Sequence, residues 1–304
     1  MSVALPSIPE AHGDFTHFGS RRSAANAGPP AERIGSAWLA AILAADGHPG
    51  RDACAGRTRR LRLVRVTLTT RRDNVPFDPR YFERLAREGV NYSPREAFEY
   101  IYRTHHWRGS ESASGEGASQ DQTAYLRTVL PDLLRELDTR TLLDLPCGDY
   151  TWLRQVELPV TQYIGADVVP SLIADHQARY KDDRHGFAVL DLRVDALPSA
   201  DVLLCRDCLV HLSFADIALA LGNIRRSGIA YLLTTTFPDC ERNEDTVTGD
   251  WRLLNLERAP YDFPAPLRLV NEHCSEGGRL FRDKSLGLWR VEDLPGTDAA
   301  TDDR

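Results

Sequence analysis

Four aspartates each close an apolar run of this chain. Asp144, Asp167, Asp191 and Asp207 follow one another at separations of 23, 24 and 16 residues, after the runs LLD, IGAD, FAVLD and VLLCRD. An ionised carboxylate only accepts hydrogen bonds, so a row of them suits a ligand rich in hydroxyl, amino or cationic groups. Between the first two stands Asp144-Leu145-Pro146-Cys147-Gly148-Asp149-Tyr150-Thr151-Trp152, with one glycine where the chain must turn tightly or lie against a ligand. Asp167 falls near the spacing, roughly 20 residues beyond a glycine turn, at which a carboxylate takes the ribose hydroxyls of a nucleotide. Aspartate is also common in turns and helix caps, which is the competing reading for any one of the four.

Four residues beyond Asp207 lies His211, on the same face if the segment is helical. An imidazole titrates near neutrality and can take a proton; Asp207 would orient it or bind substrate. The competing reading has His211 cap or pack on the next helix. Cys240 to Pro266 is long for a connection in a compact domain, which marks it as a candidate binding loop. In it Trp251 and Tyr261 could wall an acceptor, Asn255 could add a polar contact, and Arg252 could fork onto a carboxylate or phosphate. Trp251 could equally pin the loop to a sheet. Cys205, Cys208, Cys240 and Cys274 could be drawn as a zinc site, but only the first two have ligand spacing and Cys205 sits in an apolar run; we expect no metal.

These residues need a scaffold of alternating strands and helices. The pattern predicts a helix over 123–137, a strand over 141–145, a helix after the Gly148 loop, and a strand over 162–169. A helix over 170–180, strands over 186–192 and 200–207, a helix over 214–226 and a strand over 230–237 follow. Strands over 266–272 and 285–291, with no clear helix between them, predict an antiparallel hairpin at the sheet edge. Upstream, Pro79 to Trp107 reads as two short helices split at Asn91 to Pro94, with Ser93 as N-cap, Pro94 in the first turn and the aromatics in a core.

The chain has 304 residues, 42% of them apolar and 27% charged, with net charge −7, which excludes collagen, coiled coil or wholesale disorder as descriptions of the whole. The longest apolar run, Ala37 to Ala45, is far short of the roughly 20 residues that cross a bilayer. With six scattered cysteines in so long a chain, we expect reduced thiols, a cytoplasmic location and no membrane partner. Residues 1–57 read as a loosely packed extension with one helix over 31–45, 58–106 as an accessory strand and helices, 107–294 as the catalytic domain and 295–304 as a disordered tail. Arg51 to Arg72 holds eight arginines against one acid and reads as a basic strand. It lacks aromatics for base stacking, so a solvated edge strand is preferred to a nucleic-acid contact.

Over Trp107 to Leu294 the sequence resembles the class I S-adenosylmethionine (SAM)-dependent methyltransferases. More narrowly it resembles a bacterial branch whose first motif reads DxPCGD, then an aromatic, one residue and Trp, as Asp144 to Trp152 does. SESASGEGAS (110–119), LCRDCLVHL (204–212), TGDWRLLNL (248–256) and DKSLGLW (283–289) resemble the same branch. Pro146 and Tyr150 occupy the outer glycine positions of the general family's motif. The resemblance implies a Rossmann-like, seven-stranded, mostly parallel α/β sheet with an antiparallel terminal hairpin behind an N-terminal extension. It implies SAM as cofactor: Asp144 on its ammonium, with Pro146, Cys147 and Gly148 against its tail. Asp167 with Val168 would hold the ribose, Asp191 and Leu192 the adenine. Ser114, Gly115 and Gly117 would fold over the tail carboxylate, and Trp152 and Arg206 would complete the site. The acceptor, a small molecule, sugar or peptide methylated on oxygen or nitrogen, is not identified, nor is the oligomeric state. The competing functions are an NAD-dependent oxidoreductase, which needs a GxGxxG turn, and a non-catalytic SAM-fold protein binding RNA or a partner through Arg51 to Arg72.

Overall fold

A computed structural model describes residues 70–296. The helix expected over 31–45, the N-terminal extension and nearly all of the basic segment lie outside the described residues, as do residues 297–304. Of the basic segment, Arg71 and Arg72 enter a 3-10 turn, Arg71–Asp73. Arg72 is buried, and its guanidinium donates to the carbonyls of Trp251 and Pro79 and to Thr246 Oγ1, so this arginine ties loops together.

Seven strands form one sheet: β1 (Thr141–Asp144), β2 (Gln162–Asp167), β3 (His185–Val189), β4 (Val202–Cys205), β5 (Tyr231–Thr236), β6 (Arg268–Asn271) and β7 (Ser285–Arg290), in the order β3-β2-β1-β4-β5-β7-β6. The first five pair in parallel, and β7 runs against both β5 and β6. The expected fold, with its edge hairpin, is therefore present. Order reverses between β1 and β4, and at such a switch point the helices diverge and leave a crevice beyond the strand ends.

The strand sequences show why both faces are covered. Successive side chains point to opposite faces. Leu143, Leu203 and Leu232 join one core with Ile217, Leu221 and Ile224 of helix α5 (Phe214–Arg226). Their neighbours Leu142, Leu204 and Leu233 join a second core with Leu126, Leu130 and Leu134 of helix α3 (Gln120–Glu136). Helix α4 (Pro170–Tyr180) links β2 to β3. The helix expected after Gly148 is not there; a 3-10 turn, Leu153–Gln155, takes its place. Pro159 drives Leu158 out of helical geometry, leaving too few residues for a helix before β2.

Ahead of the sheet come α1 (Tyr81–Arg87) and α2 (Pro94–Thr104). Ser93 caps α2 as expected, accepting from the Glu96 backbone N–H while the Glu96 carboxylate accepts from the Ser93 N–H at 2.8 Å. No helix among the described residues is long and apolar enough to cross a membrane.

Candidate functional site

The strand ends open into one cleft, lined by the tips of β1 and β2, by residues 190–193 beyond β3 and by residues 206–208 beyond β4. Every residue expected to hold a cofactor lines it except Gly115 and Gly117. Asp144 is buried at the end of β1, where Oδ2 accepts from Tyr163 Oη at 2.7 Å. Burial raises its pKa to about 7 in spite of that bond and of Arg206. Asp167, at the end of β2, takes the Val169 N–H at 3.0 Å on one oxygen and the Gly148 N–H at 3.3 Å on the other; burial lifts it to about 6. Each carboxylate oxygen can accept twice, so Asp167 retains accepting capacity.

Gly148 adopts φ +52°, and a Cβ there would collide with Ser114 Oγ. Only glycine allows this approach at low cost. From outside, Asp149 draws the 112–114 segment down, taking Ser112 Oγ at 2.7 Å and the Ala113 N–H at 2.9 Å, while Ser114 Oγ accepts the Asp149 N–H at 3.0 Å. From behind, His176 of α4 holds the Gly148 carbonyl at 2.8 Å. The hydroxyl-rich segment is thus folded onto the glycine turn. Asp191 is less available than its sequence position suggests. Arg193 binds both its oxygens, at 2.9 and 2.6 Å, and bridges on to Asp216. The Asp191 carboxyl accordingly stays low, burial being outweighed by Arg193.

Asp207 and His211 do not share a helix. Asp207 precedes a 3-10 turn, Leu209–His211, of which His211 is the last residue, and Asp207 itself has φ +50°. Asp207 Oδ2 sits 2.7 Å from Lys284 Nζ and 3.2 Å from Arg206. Burial alone would raise its pKa, but Lys284 and Arg206 overcome this and hold it near 2. It does not orient His211. That ring donates from Nδ1 to the Asp250 carbonyl, at 3.0 Å, and stacks on Trp107 with centroids 4.5 Å apart. Burial brings His211 down to about 4, so at neutral pH the ring is uncharged and its Nε2 lone pair lies at the cleft wall, without a hydrogen-bond partner among the described residues.

A second cleft adjoins the first, sharing Trp107, Ser114, Asp207 and His211. Gly115 and Gly117 line it. Of the four residues expected to bind an acceptor, only Trp251 does so. Arg252 is fully buried elsewhere, donating to the carbonyls of Leu209 at 2.7 Å, Leu212 at 2.8 Å and Glu244 at 3.2 Å. It clamps the turn that carries His211 and makes no salt bridge among the described residues. Asn255 spans the loop, from the Asn243 side chain to the carbonyls of Pro238 and Cys240, and Tyr261 packs edge-on against Phe214. Cys147, Cys205, Cys208, Cys240 and Cys274 are free thiols, and no metal-binding cluster occurs among the described residues.

Sequence reasoning missed several walls. Phe98, Ile101 and Tyr102 place one face of α2 over the first cleft; their helical spacing reads equally well as a core stripe. Trp107 divides the two clefts. Lys284 did carry a signal: it is one of two lysines in an arginine-rich chain and lies in the DKSLGLW block.

No protein-family model and no curated protein matches this chain. Among solved structures, human N-acetylserotonin methyltransferase in complex with SAM is similar at 15% identity and TM-score 0.46, over 70% of this chain and 63% of that one. N-methyltransferase NodS from Bradyrhizobium japonicum WM9 with S-adenosyl-l-homocysteine is similar at 14% identity and TM-score 0.44, over 66% of this chain and 98% of that one. The chain spans less than two thirds of the length of the human enzyme.

Proposed function

We propose that this protein is a SAM-dependent methyltransferase acting on oxygen or nitrogen of a small-molecule or peptide acceptor. The observation that carries the reading is the cradle at the switch point, where Asp144, the Gly148 turn and Asp167 lie under Ser114 and open toward a second cleft through His211. The donor set fits SAM. Buried Asp144 suits its ammonium and Asp167 its ribose hydroxyls, with Val168 and Leu192 offering faces to adenine. Asp191 would reach the adenine amino group only with the lone pairs that Arg193 leaves. The set does not fit a dinucleotide, because the turn after β1 leads into a 3-10 turn rather than a helix N-terminus that could take pyrophosphate.

When bound, SAM supplies a methyl carbon on a positively charged sulfur. The chain's part is to hold an acceptor atom in line from the second cleft and to remove its proton. His211 is uncharged at neutral pH, and the Asp250 carbonyl fixes its tautomer so that Nε2 accepts. Asp207, held near pKa 2, stays anionic and contributes charge rather than proton transfer. We assign residues 107–294 to this activity, with α2 as a cover of the cleft. Calorimetry with SAM, S-adenosylhomocysteine and NAD tests the reading: binding of the first two and not the third is expected. Asp167→Ala should weaken both by more than tenfold, and NAD binding would overturn the assignment.

A further inference from the structure

The second cleft has a composition that selects among acceptors. Phe77, Trp107, Phe237, Trp251 and Phe281 form apolar walls around a charged floor. On that floor a Cβ added to Gly117 would stand 3.0 Å from Lys284 Nζ, 3.2 Å from Asp207 Oδ2 and 3.3 Å from Glu276 Oε1, so three charged atoms converge where the backbone is bare.

The charges do not cancel. Lys284 is committed to Asp207 at 2.7 Å and reaches Glu272 at 3.6 Å, and Arg206 is committed to Glu272 at 2.7 Å and to Asp207 at 3.2 Å. Two cations thereby neutralise two acids. Glu276 lies within salt-bridge range of no cation among the described residues, and its one hydrogen-bond partner is the Cys274 thiol, at 3.7 Å. Arg252, the cation that could have met an anionic acceptor, is spent on carbonyls. At the wall shared with the first cleft stands His211, only 7% exposed, whose Nε2 can accept a hydrogen bond and cannot donate one.

Aromatic faces, a carboxylate that no salt bridge among the described residues engages and whose pKa burial raises against the pull of Lys284 and Arg206, and a buried acceptor nitrogen together favour a ligand carrying a cation or N–H donors and disfavour carboxylate and phosphate. We infer that the second cleft binds an amine on a flat apolar body, with the nitrogen between Glu276 and His211 Nε2 and the body against Trp107, Trp251 and Phe281. This rests on the methyltransferase reading and narrows its acceptor to an amine. Methylation there would form a bond from the nitrogen lone pair to the methyl carbon as the carbon–sulfur bond breaks and its electron pair stays on sulfur, with S-adenosylhomocysteine as the leaving group; the one proton the ammonium must lose would pass by way of His211 Nε2 to water.

The test reads binding, not turnover. The purified protein, saturated with S-adenosylhomocysteine, is titrated with 2-phenylethylamine, 2-phenylethanol and 3-phenylpropionate, followed by calorimetry and by tryptophan fluorescence. The amine should bind at least tenfold tighter than either isostere. Glu276→Gln should remove most of that preference and leave the affinity for the alcohol within twofold. Equal or tighter binding of the carboxylate, absence of amine binding, or an unchanged preference in Glu276→Gln would overturn the inference. Saturation with S-adenosylhomocysteine is measured first, so failure of the cofactor reading is seen separately from failure of the amine site.

Discussion

With Asp144 on the ammonium as proposed, cofactor binding is linked to pH. The Asp144 carboxyl has a pKa of about 7 in the ligand-free protein because it is buried, and it can hold an ammonium only when ionised. Affinity therefore scales as one over 1 + 10^(7 − pH), a factor of about 1.1 at pH 8 and about 11 at pH 6, so S-adenosylhomocysteine should bind about tenfold more weakly at pH 6, roughly 1.4 kcal/mol. Asp167, with a pKa of about 6, adds about a further twofold loss at pH 6 by the same linkage. Calorimetry in buffers of different ionisation enthalpy should find about half a proton released per ligand at pH 7. Adenosine, which lacks the ammonium, should keep only the twofold dependence. Asp144→Asn should weaken S-adenosylhomocysteine at pH 8 and flatten its pH profile. An affinity constant within twofold from pH 6 to 8 with no proton release would refute the assignment of Asp144 to the ammonium.

The same carboxyl makes a stability prediction. Its folded pKa lies above the ordinary aspartate value of about 3.9, so the stability it contributes is complete below about pH 4 and is lost as pH rises through 7. Asp144→Asn should then raise the melting temperature of the ligand-free protein more at pH 8 than at pH 5. Gly148→Ala should lower S-adenosylhomocysteine affinity more than tenfold, since φ +52° strains alanine and its methyl displaces Ser114. Gly228→Ala, at φ +76° with open space around it, should cost only about 1 kcal/mol of stability and leave affinity unchanged, as denaturant melts and calorimetry would read. Arg252→Leu should destabilise the fold by about 3 kcal/mol by orphaning three carbonyls; unchanged stability with lost acceptor affinity would restore Arg252 as an anion anchor. His211→Ala should lower turnover at least about a hundredfold while S-adenosylhomocysteine affinity holds, which single-turnover kinetics would show.

The strand-end side of the first cleft was legible in the sequence because its parts are local, whereas its α2 wall was not. Parallel strands buried on both faces read as apolar runs, and their tips announce themselves as Asp144, four residues before Gly148, and Asp167, 19 residues after it. Strand ends were read three residues long at β3 and two at β4, so Asp191 and Asp207 stand in turns beyond Val189 and Cys205. The second cleft was not legible. Phe77, Trp107, Glu276, Phe281 and Lys284 come from three separated stretches, and nothing in their spacing records that packing brings them together. Arg252 shows the opposite failure: an arginine in a long loop has the chemistry of an anion anchor whether its fork faces a cavity or a row of carbonyls.

Those carbonyls explain why Asp250, Trp251 and Arg252 stand in sequence. The Asp250 carboxylate accepts the Phe82 and Glu83 N–H groups, both at 2.8 Å, and so fastens the first turn of α1, while its own carbonyl takes the His211 Nδ1–H. Trp251 gives its ring to the second cleft and its carbonyl to Arg72, and Arg252 fixes both ends of the 209–212 turn. A histidine with a pKa near 4 is a weak base. Its usefulness must come from being uncharged, in one tautomer and in one place when the acceptor arrives, because a proton acceptor works only within hydrogen-bond reach of its target. Three consecutive residues supply that placement and at the same time fasten α1, which leads directly into α2 over the first cleft. The proposed base, acceptor wall and cofactor cover are thereby held by one short segment of the loop between β5 and β6.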